Sequence, residues 1–496
     1  MRLIEKLIVL CIFALILIIK LDSITKVWVD EPWYANTAFN FSQNNRLENT
    51  NVGMRGGDDT FFYTLLLGLF YKVFPVQLYF GRLFSVILGL IFFLIFLEFI
   101  LKNLNNDFLK WLSILYVSTN ISFIVIFRTI RPESLGILLT MVCIYLLYQP
   151  VNLKNTIFLS SVSFLSFLTH PSFAFLFVAI FLIYVYHNLI INNKNKIFIL
   201  YFIIIFIFWI IIYFAIIIFY KKETLKIFFS DWFPRVNDKK SLTFELIYNK
   251  IKDFIKDYSL GVKRIYIFFY EIISMIIGFI YFKKNKNFQI LLIISVVFLF
   301  FNIFILKQIS LRFFSTISLF SFLIFLESIK NSLQEKKPVK NYFFLILTLI
   351  YIVNNIGGMI FLYLKDKNNT PYSFIENRIS SIVPDNTVTL SLLNLWFPLK
   401  NTDNINEYTL PEKKGANTFK DILEKNKPEY VVITEYLTQS ESTTSGRYLG
   451  NSKKQFFTDY INLVKDYVKN GFFLLDTIET RGYGTIKIYK FSSSLP

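Results

Sequence analysis

Residues 197–220, IFILYFIIIFIFWIIIYFAIIIFY, decide the fold class, because this long stretch contains no charged side chain. A helix of about 20 apolar residues crosses the roughly 30 Å hydrocarbon core of a bilayer, where no water satisfies an irregular backbone. The whole chain shares this character, since 54% of its 496 residues are hydrophobic and 59 of them are Phe. That composition is too apolar for a soluble protein of this length. The sequence therefore predicts a polytopic α-helical membrane protein.

Ten further apolar runs predict additional spans. They lie near residues 5–21, 78–101, 108–127, 134–149, 156–170, 171–190, 263–282, 288–306, 311–329 and 341–364. With residues 197–220 they make about eleven crossings, give or take two. The short run 61–74 predicts an interfacial helix, with a twelfth crossing as the alternative. The first run is interpreted as a retained helix, because it lacks a convincing small-residue cleavage site.

Basic residues between the apolar runs predict the orientation of the chain. When the N-terminus is placed inside, every inner loop is basic and the short outer loops hold few cations, as the positive-inside rule requires. The formal net charge of +18 follows from these clusters and does not point to nucleic acid. Cys11 and Cys143 both lie inside apolar runs, so neither a disulfide framework nor a thiolate metal site is expected.

The composition changes after Leu364 to a polar, mixed sequence. This change predicts a transmembrane domain, residues 1–364, followed by a C-terminal soluble α/β domain, residues 365–496. In the second domain, PEYVVIT (428–434) and GTIKIYKF (484–491) alternate like strands, and residues 457–468 follow helical spacing. An odd number of crossings places this domain on the outer face. The long loop 221–262 is also expected outside, with an amphipathic stretch against the membrane surface.

Charged and titratable side chains collect at the span ends on this predicted outer face. They lie in the motifs DEPWY (30–34), FRTIRPESLG (127–136), THP (169–171) and LKQISLRFF (306–314). The residues concerned are Asp30, Glu31, Arg128, Arg131, Glu133, His170, Lys307 and Arg312.

Each motif has a structural interpretation as well as a functional one. Asp30 and Glu31 can cap a helix, because acids are favoured near a helix N-terminus. The Arg side chains can snorkel to the surface, and a lone His at a membrane boundary is more often structural than catalytic. Their common location favours a ligand site. Planar Arg groups bind phosphate with two parallel hydrogen bonds, and a carboxylate can accept a proton from a hydroxyl nucleophile.

Several other chemistries have no support in the sequence. It contains no Gly-rich phosphate loop, no Ser-His-Asp arrangement and no Cys/His zinc spacing. The cofactor is left open: a divalent metal is compatible with the sequence, but no metal-ligand set is unambiguous. An anionic substrate held by the membrane is expected beside a base.

The order of the motifs resembles polyprenyl-phosphate-dependent glycosyltransferases of the GT-C fold, in particular the group of protein mannosyltransferases and lipid A aminoarabinose transferases. DEPWYANTAFNFSQNN (30–45) resembles the acidic motif of that group's first outer loop. YFGRLFSVILG (79–89) resembles the start of its second span. FRTIRPESLG, LTHPS (168–172) and LRFF (311–314) resemble later outer loops, so the resemblance covers roughly residues 1–364.

This resemblance implies roles for individual residues. Asp30 would be the catalytic base, taking a proton from the acceptor hydroxyl while C1 of the donor sugar is attacked with inversion. Glu31 would orient the acceptor or the base. Arg312 and Arg131, with Lys307 beside them, would bind the donor phosphate and stabilise its charge as it departs.

Other residues would line the site. Arg128, Glu133 and His170 belong to motifs that resemble the family's outer loops. GGDDTFFY (56–63) departs from the Pro- and Tyr-rich segment of many relatives, so the acceptor contacts there would come instead from Arg55, Asp58 and Asp59.

The partners implied are the lipid bilayer, a polyprenyl-phosphate sugar and an acceptor that is a glycan, a lipid or a protein. The expected location is a bacterial or archaeal cell membrane, with the site and the C-terminal domain extracytoplasmic. A transporter or lipid flippase is the alternative, since intramembrane charges also mark translocation pathways. A polymerase or ligase of lipid-linked glycans would share the same face and donor.

Overall fold

A computed structural model describes residues 2–50, 60–187, 196–220, 265–283, 285–301, 314–335, 338–407, 416–435 and 451–492. Within these residues, a helix lies at each position where an apolar run predicts a span. The N-terminal helices are α1 Leu3–Ile18, α2 Asp30–Asn44, α3 Phe61–Tyr71, α4 Leu78–Asn103, α5 Asp107–Thr119, α6 Ile121–Phe127, α7 Pro132–Leu147, α8 Leu153–Thr169 and α9 Phe175–Val185. Beyond them lie α10 Lys196–Tyr220, α11 Ile265–Tyr281, α12 Lys286–Phe300, α13 Phe314–Gln334 and α14 Pro338–Asp366.

The helices make the chain an integral membrane protein. Among the described residues, four helices are long and apolar enough to cross a bilayer, or five if the bent pair α5 and α6 counts as one span. The shorter apolar helices are α3, α7, α12 and the segments Ser172–Val185 and Tyr270–Tyr281. The count of about eleven crossings stays a prediction.

The predicted span 108–127 is not a continuous helix. It bends by 54° between α5 and α6. Asn120 at the junction has extended backbone, and its side-chain oxygen accepts hydrogen bonds from the amides of Ser122 and Phe123. Its amide nitrogen donates to Ser318 Oγ at 2.7 Å. A side chain that satisfies the backbone at a break and ties it to a neighbouring helix explains the bend.

The C-terminal part contains a five-stranded mixed sheet in the order β2-β1-β3-β5-β4. Its strands are β1 Val388–Ser391, β2 Asp403–Ile405, β3 Tyr430–Thr434, β4 Phe472–Thr480 and β5 Gly484–Phe491. The first three are parallel to one another, whereas β5 pairs antiparallel with both β3 and β4. The accompanying helices are α15 Tyr372–Ser380, α16 Ala416–Asn426 and α17 Asn451–Val468. Both strands and the helix expected from the sequence pattern are present.

This α/β unit packs against the end of the helix bundle at which α2 begins. The buried Tyr483 hydroxyl accepts the backbone N–H of Val27 at 2.9 Å. Glu376 on α15 accepts the N–H of Leu78, the first residue of α4, at 3.0 Å. The Phe39 ring on α2 meets Trp396 edge to face, with the ring centroids 5.9 Å apart. The fold thus places α2 between the bundle and the sheet.

Candidate functional site

The site is organised around an ion pair between Asp30 and Arg131. Asp30 is the first residue of α2, and Arg131 directly precedes α7. Arg131 Nη2 lies 2.7 Å from Asp30 Oδ2, and Arg131 Nη1 lies 3.8 Å from Glu133 Oε1. The Asp30 side chain is 28% exposed, whereas that of Arg131 is 9% exposed. Burial opposes the charge of Arg131, but the carboxylates of Asp30 and Glu133 outweigh it and raise its pKa.

Glu31 has a different environment from its neighbour. Its two carboxylate oxygens accept Arg82 Nε at 2.9 Å and Arg82 Nη2 at 2.7 Å, a bidentate pair that is 0% and 1% exposed. Glu31 Oε2 also accepts the N–H of Ile130 at 3.1 Å. Arg82 Nη1 donates to the Leu21 carbonyl at 2.8 Å. This buried pair joins α2 and α4 to the segment before α7, which positions Asp30 beside Arg131.

Arg128 holds the end of α1. Its guanidinium donates to the carbonyls of Ile16, Leu17, Ile19 and Lys20 at 2.7 to 3.2 Å. The last carbonyls of a helix lack partners within the helix, and a cation at that end is also favoured by the helix dipole. Arg128 is only 2% exposed. These contacts indicate a structural role for Arg128. None of them joins it to Asp30.

His170 lies at the end of α8, within electrostatic range of the ion pair. Its Nδ1 accepts the N–H of Ser172 at 3.1 Å and lies 2.6 Å from Ser172 Oγ. Because Nδ1 accepts a backbone N–H, the neutral ring carries its proton on Nε2. Burial, and to a smaller degree the charge of Arg131, lowers the His170 pKa to about 4. His170 is therefore a neutral hydrogen-bond donor at pH 7.

Two glycines permit the close contacts that build the site. A Cβ on Gly81 would lie 2.3 Å from Tyr71 Oη and 2.4 Å from Ile130 Cδ1. Any larger residue would force the Tyr71 and Ile130 side chains to shift. A Cβ on Gly136 would lie 2.2 Å from the Phe173 ring. Gly136 thus lets α7 approach the turn that begins at His170.

The structure brings together Asp30, Glu31, Arg131, Glu133 and His170 at one end of the bundle. Lys307, Arg312, Arg55, Asp58 and Asp59 lie outside the described residues. Arg82, the ion-pair partner of Glu31, was not predicted as a site residue. An Arg in the first turn of an otherwise apolar span was the available signal, because such a charge needs a partner.

The architecture is that of the GT-C fold: apolar helices, a charged cluster at one end and an α/β unit packed over it. The match to the crystal structure of ArnT from Cupriavidus metallidurans bound to undecaprenyl phosphate covers 99% of this chain and 98% of that chain, with a TM-score of 0.57 and 10% sequence identity. The apo state of the same protein gives a TM-score of 0.59, with 10% identity over 98% of this chain and 97% of that chain.

The archaeal oligosaccharyltransferase AglB from Archaeoglobus fulgidus, in complex with an inhibitory peptide and a dolichol-phosphate, gives a TM-score of 0.51 and 11% identity. That match covers 100% of this chain and 75% of that chain. At such identities the likeness concerns the fold. No family model matches the chain, and no curated protein matches it in sequence.

Proposed function

We propose that this protein is a membrane glycosyltransferase that moves a sugar from a polyprenyl-phosphate donor to an acceptor hydroxyl. The observation that carries the proposal is the ion pair of Asp30 and Arg131, 2.7 Å apart. A carboxylate can take the proton of the attacking hydroxyl, and a guanidinium can stabilise the phosphate that leaves. An inverting displacement needs these two groups on opposite sides of the anomeric carbon, so the ion pair must open when donor and acceptor bind.

Asp30 is the better candidate for the base because it can be reached. Its side chain is 28% exposed, whereas Glu31 is 1% exposed and is held by Arg82 and the Ile130 amide. A carboxylate occupied by a bidentate Arg and a backbone N–H has little capacity left for an acceptor. We therefore assign Glu31 as a positioning residue and Asp30 as the catalytic residue.

In the proposed reaction, Asp30 accepts the proton of the acceptor hydroxyl while that oxygen forms a bond to C1 of the donor sugar. The bond between C1 and the phosphate oxygen breaks, and its electron pair stays on the polyprenyl phosphate. A single displacement from the face opposite the phosphate inverts the configuration at C1. The products are the glycosylated acceptor, the free lipid phosphate and the proton that Asp30 releases to water.

Arg131 has the geometry to serve the leaving group. Its Nη1 is buried and makes no hydrogen bond among the described residues, although Glu133 lies 3.8 Å away. A donor phosphate offers anionic oxygens to the Arg131 guanidinium. Binding them would weaken the ion pair between Arg131 and Asp30. Donor binding would thereby free the base for the acceptor. Lys307 and Arg312 stay predicted partners of the same phosphate.

The comparisons support a lipid-phosphate donor. Undecaprenyl phosphate is bound in the ArnT structure and a dolichol-phosphate in the AglB structure, and both proteins share the fold of this chain. A donor whose tail stays in lipid suits a site at the end of apolar helices. We propose further that this end, with the C-terminal domain, faces the extracytoplasmic side, as the positive-inside rule predicts.

The test is transfer of a labelled sugar from a panel of polyprenyl-phosphate sugars by membranes that contain matched amounts of protein. Asp30→Asn should lower transfer by about 10²- to 10⁴-fold, the usual contribution of a general base. Asp107→Asn is the matched control, because Asp107 is an exposed acid paired with Lys110 away from the site. Full activity of Asp30→Asn would reject the assignment of Asp30 as the catalytic base. No transfer by the wild type with any donor of the panel would reject the proposed reaction.

A transporter or flippase is the second candidate, and two structural features favour it. Broken helices and buried intramembrane carboxylates mark translocation pathways. The helix break lies at Asn120, and Glu271 on α11 is 6% exposed with an Oε1 that has no hydrogen-bond partner in the described part of the chain. Proteoliposomes with a fluorescent polyprenyl phosphate would separate the two functions. Movement of the fluorescent lipid across the bilayer that depends on Glu271 but is retained in Asp30→Asn would favour transport.

A further inference from the structure

A cleft of about 590 Å³ lies between α2 and the C-terminal sheet. Its volume is in the range of small-ligand sites, roughly 300 to 1,000 Å³. One wall belongs to α2 and Thr50, and the other to the turns at the start of β1 and β2. The lining residues include Asn36, Phe39, Asn40, Lys400, Asn401 and Asn404.

The α2 wall is held in place by side-chain amides. Asn36 Oδ1 accepts the N–H of Thr50 at 2.8 Å, and its amide nitrogen donates to Thr50 Oγ1 at 3.0 Å. Asn40 donates to the Glu48 carbonyl at 2.7 Å. These bonds fold the chain after α2 back onto the helix. The wall is therefore formed before any ligand arrives.

The opposite wall of the cleft is also held by hydrogen bonds. Asn386 has a φ of 61°, a left-handed conformation that Asn tolerates. Its N–H donates to the Asn401 carbonyl at 2.9 Å. Asn401 Nδ2 donates in turn to Asp385 Oδ2 at 3.1 Å. Two turns are thus tied together at the rim of the cleft.

Asn404 supplies the observation that points to a ligand. It lines the cleft and is only 9% exposed. Its Oδ1 accepts hydrogen bonds from Ser391 Oγ at 2.7 Å and Thr389 Oγ1 at 3.3 Å, whereas its Nδ2 finds no partner within the described ranges. A buried amide that makes bonds through its oxygen alone leaves two N–H donors unsatisfied.

The charges of the described lining residues disfavour a phosphate as the ligand. Lys400 is the single cation among them, and Asp385 and Asp403 oppose it. The remaining polar groups are amides and hydroxyls, which offer donors and acceptors side by side. Phe39 is partly exposed and contributes its ring to the lining, whereas Trp396 is only 1% exposed and packs edge to face against it. Sugar hydroxyls both donate and accept, and aromatic rings pack against sugar C–H groups.

We infer that this cleft binds a neutral, hydroxyl-rich segment of a glycan acceptor. The inference rests on the proposed glycosyl transfer, since it names the acceptor as a glycan. Asn36 lies six residues after Asp30 on α2, which is a rise of about 9 Å with the side chain on another face of the helix. The cleft therefore holds a part of the acceptor remote from the reacting hydroxyl and selects which acceptor is used.

Direct binding tests this inference without a donor. The probes are neutral oligosaccharides of one to six hexose or N-acetylhexosamine units, measured by saturation-transfer NMR and titration on the full-length protein in detergent. The wild type and Asp30→Asn should bind the same oligosaccharide equally. Asn401→Trp, which fills the exposed rim, should weaken binding about tenfold or more. Asn462→Trp on an exposed face of α17 is the matched control and should bind normally.

A second variant addresses the amide itself. Asn404→Asp keeps the oxygen that accepts from Ser391 but removes the N–H donors, so it should also weaken binding about tenfold, with folding checked by thermal unfolding. Wild-type protein that binds no neutral oligosaccharide would overturn the inference, as would preference for sulfated oligosaccharides or for a peptide. Binding that survives Asn401→Trp would place the glycan elsewhere. Because none of these measurements needs turnover, they can fail while sugar transfer succeeds, and the reverse.

Discussion

The buried pair of Glu31 and Arg82 should contribute more to stability than any exposed ion pair in the described part of the chain. Its side chains are 1% and 0% exposed, and Arg82 also donates to the Leu21 carbonyl. Removing one member leaves the other charge buried without its partner, which costs about 3–5 kcal/mol. Glu31→Gln and Arg82→Met should each lower the free energy of unfolding by that amount.

The double variant separates the pair from its surroundings. If the two residues act as a unit, combining Glu31→Gln with Arg82→Met should cost clearly less than the sum of the single changes, because the double variant leaves no charge stranded whereas each single variant does. Unfolding by SDS titration in mixed micelles measures all three variants. The exposed pair Lys469 and Asp466, 2.8 Å apart, is the control, and Lys469→Met should cost about 0–1 kcal/mol.

Activity measured alongside stability decides the role of Glu31. As a positioning residue, Glu31 should affect transfer mainly through the fraction of protein that is folded and correctly assembled. A Glu31→Gln protein that unfolds like the wild type and yet transfers no sugar would refute this reasoning. It would show that Glu31 acts on the acceptor directly.

Four further perturbations follow from the described contacts. Arg128→Met should lower stability by about 3 kcal/mol or more, because four carbonyls at the end of α1 lose a charged donor, and unchanged thermal unfolding would contradict this. His170, with its pKa lowered to about 4, binds fewer protons when folded than when unfolded, so stability should fall as the pH drops from about 6.5 to 4, and His170→Gln should remove that slope. Burial raises the Glu407 pKa to about 8, so its contribution is present at low pH and should be lost as the pH rises through 8, a trend that Glu407→Gln should abolish in urea titrations. Gly81→Ala should reduce both stability and transfer through its clash with Tyr71 and Ile130, whereas Gly357→Ala, which meets no atom within 4 Å, should leave both intact.

The sequence alone predicted the membrane class, the positions of the described apolar helices, the helix that contains residues 457–468 and the strands at 428–434 and 484–491, but not α15, α16, β1, β2 or β4. Apolar length and residue periodicity are local properties, and the bilayer or the sheet edge acts on them in the same way wherever they occur. The clustering of Asp30, Arg131, Glu133 and His170 was also predictable in outline. Loops that end on the same side of a membrane lie near one another whatever the packing between helices.

The break at Asn120 was not predictable from hydropathy. Residues 108–127 remain apolar on both sides of it, so their composition is that of one span. The bend depends on Asn120 finding Ser318, which lies 198 residues away in sequence. Only the packing of α13 beside the junction supplies that partner.

The roles of the two adjacent acids were likewise decided by tertiary structure. Asp30 and Glu31 share one motif and one helix turn, and the family resemblance placed both at the reacting groups, Asp30 as the base and Glu31 as the residue that orients the acceptor or the base. Their side chains leave α2 in different directions, so Glu31 meets Arg82, 51 residues away, and the Ile130 amide, 99 residues away. Asp30 meets Arg131 at a partly open surface. Which carboxylate is buried and which can reach a substrate depends on these distant contacts, because burial is a property of the assembled bundle and not of the motif.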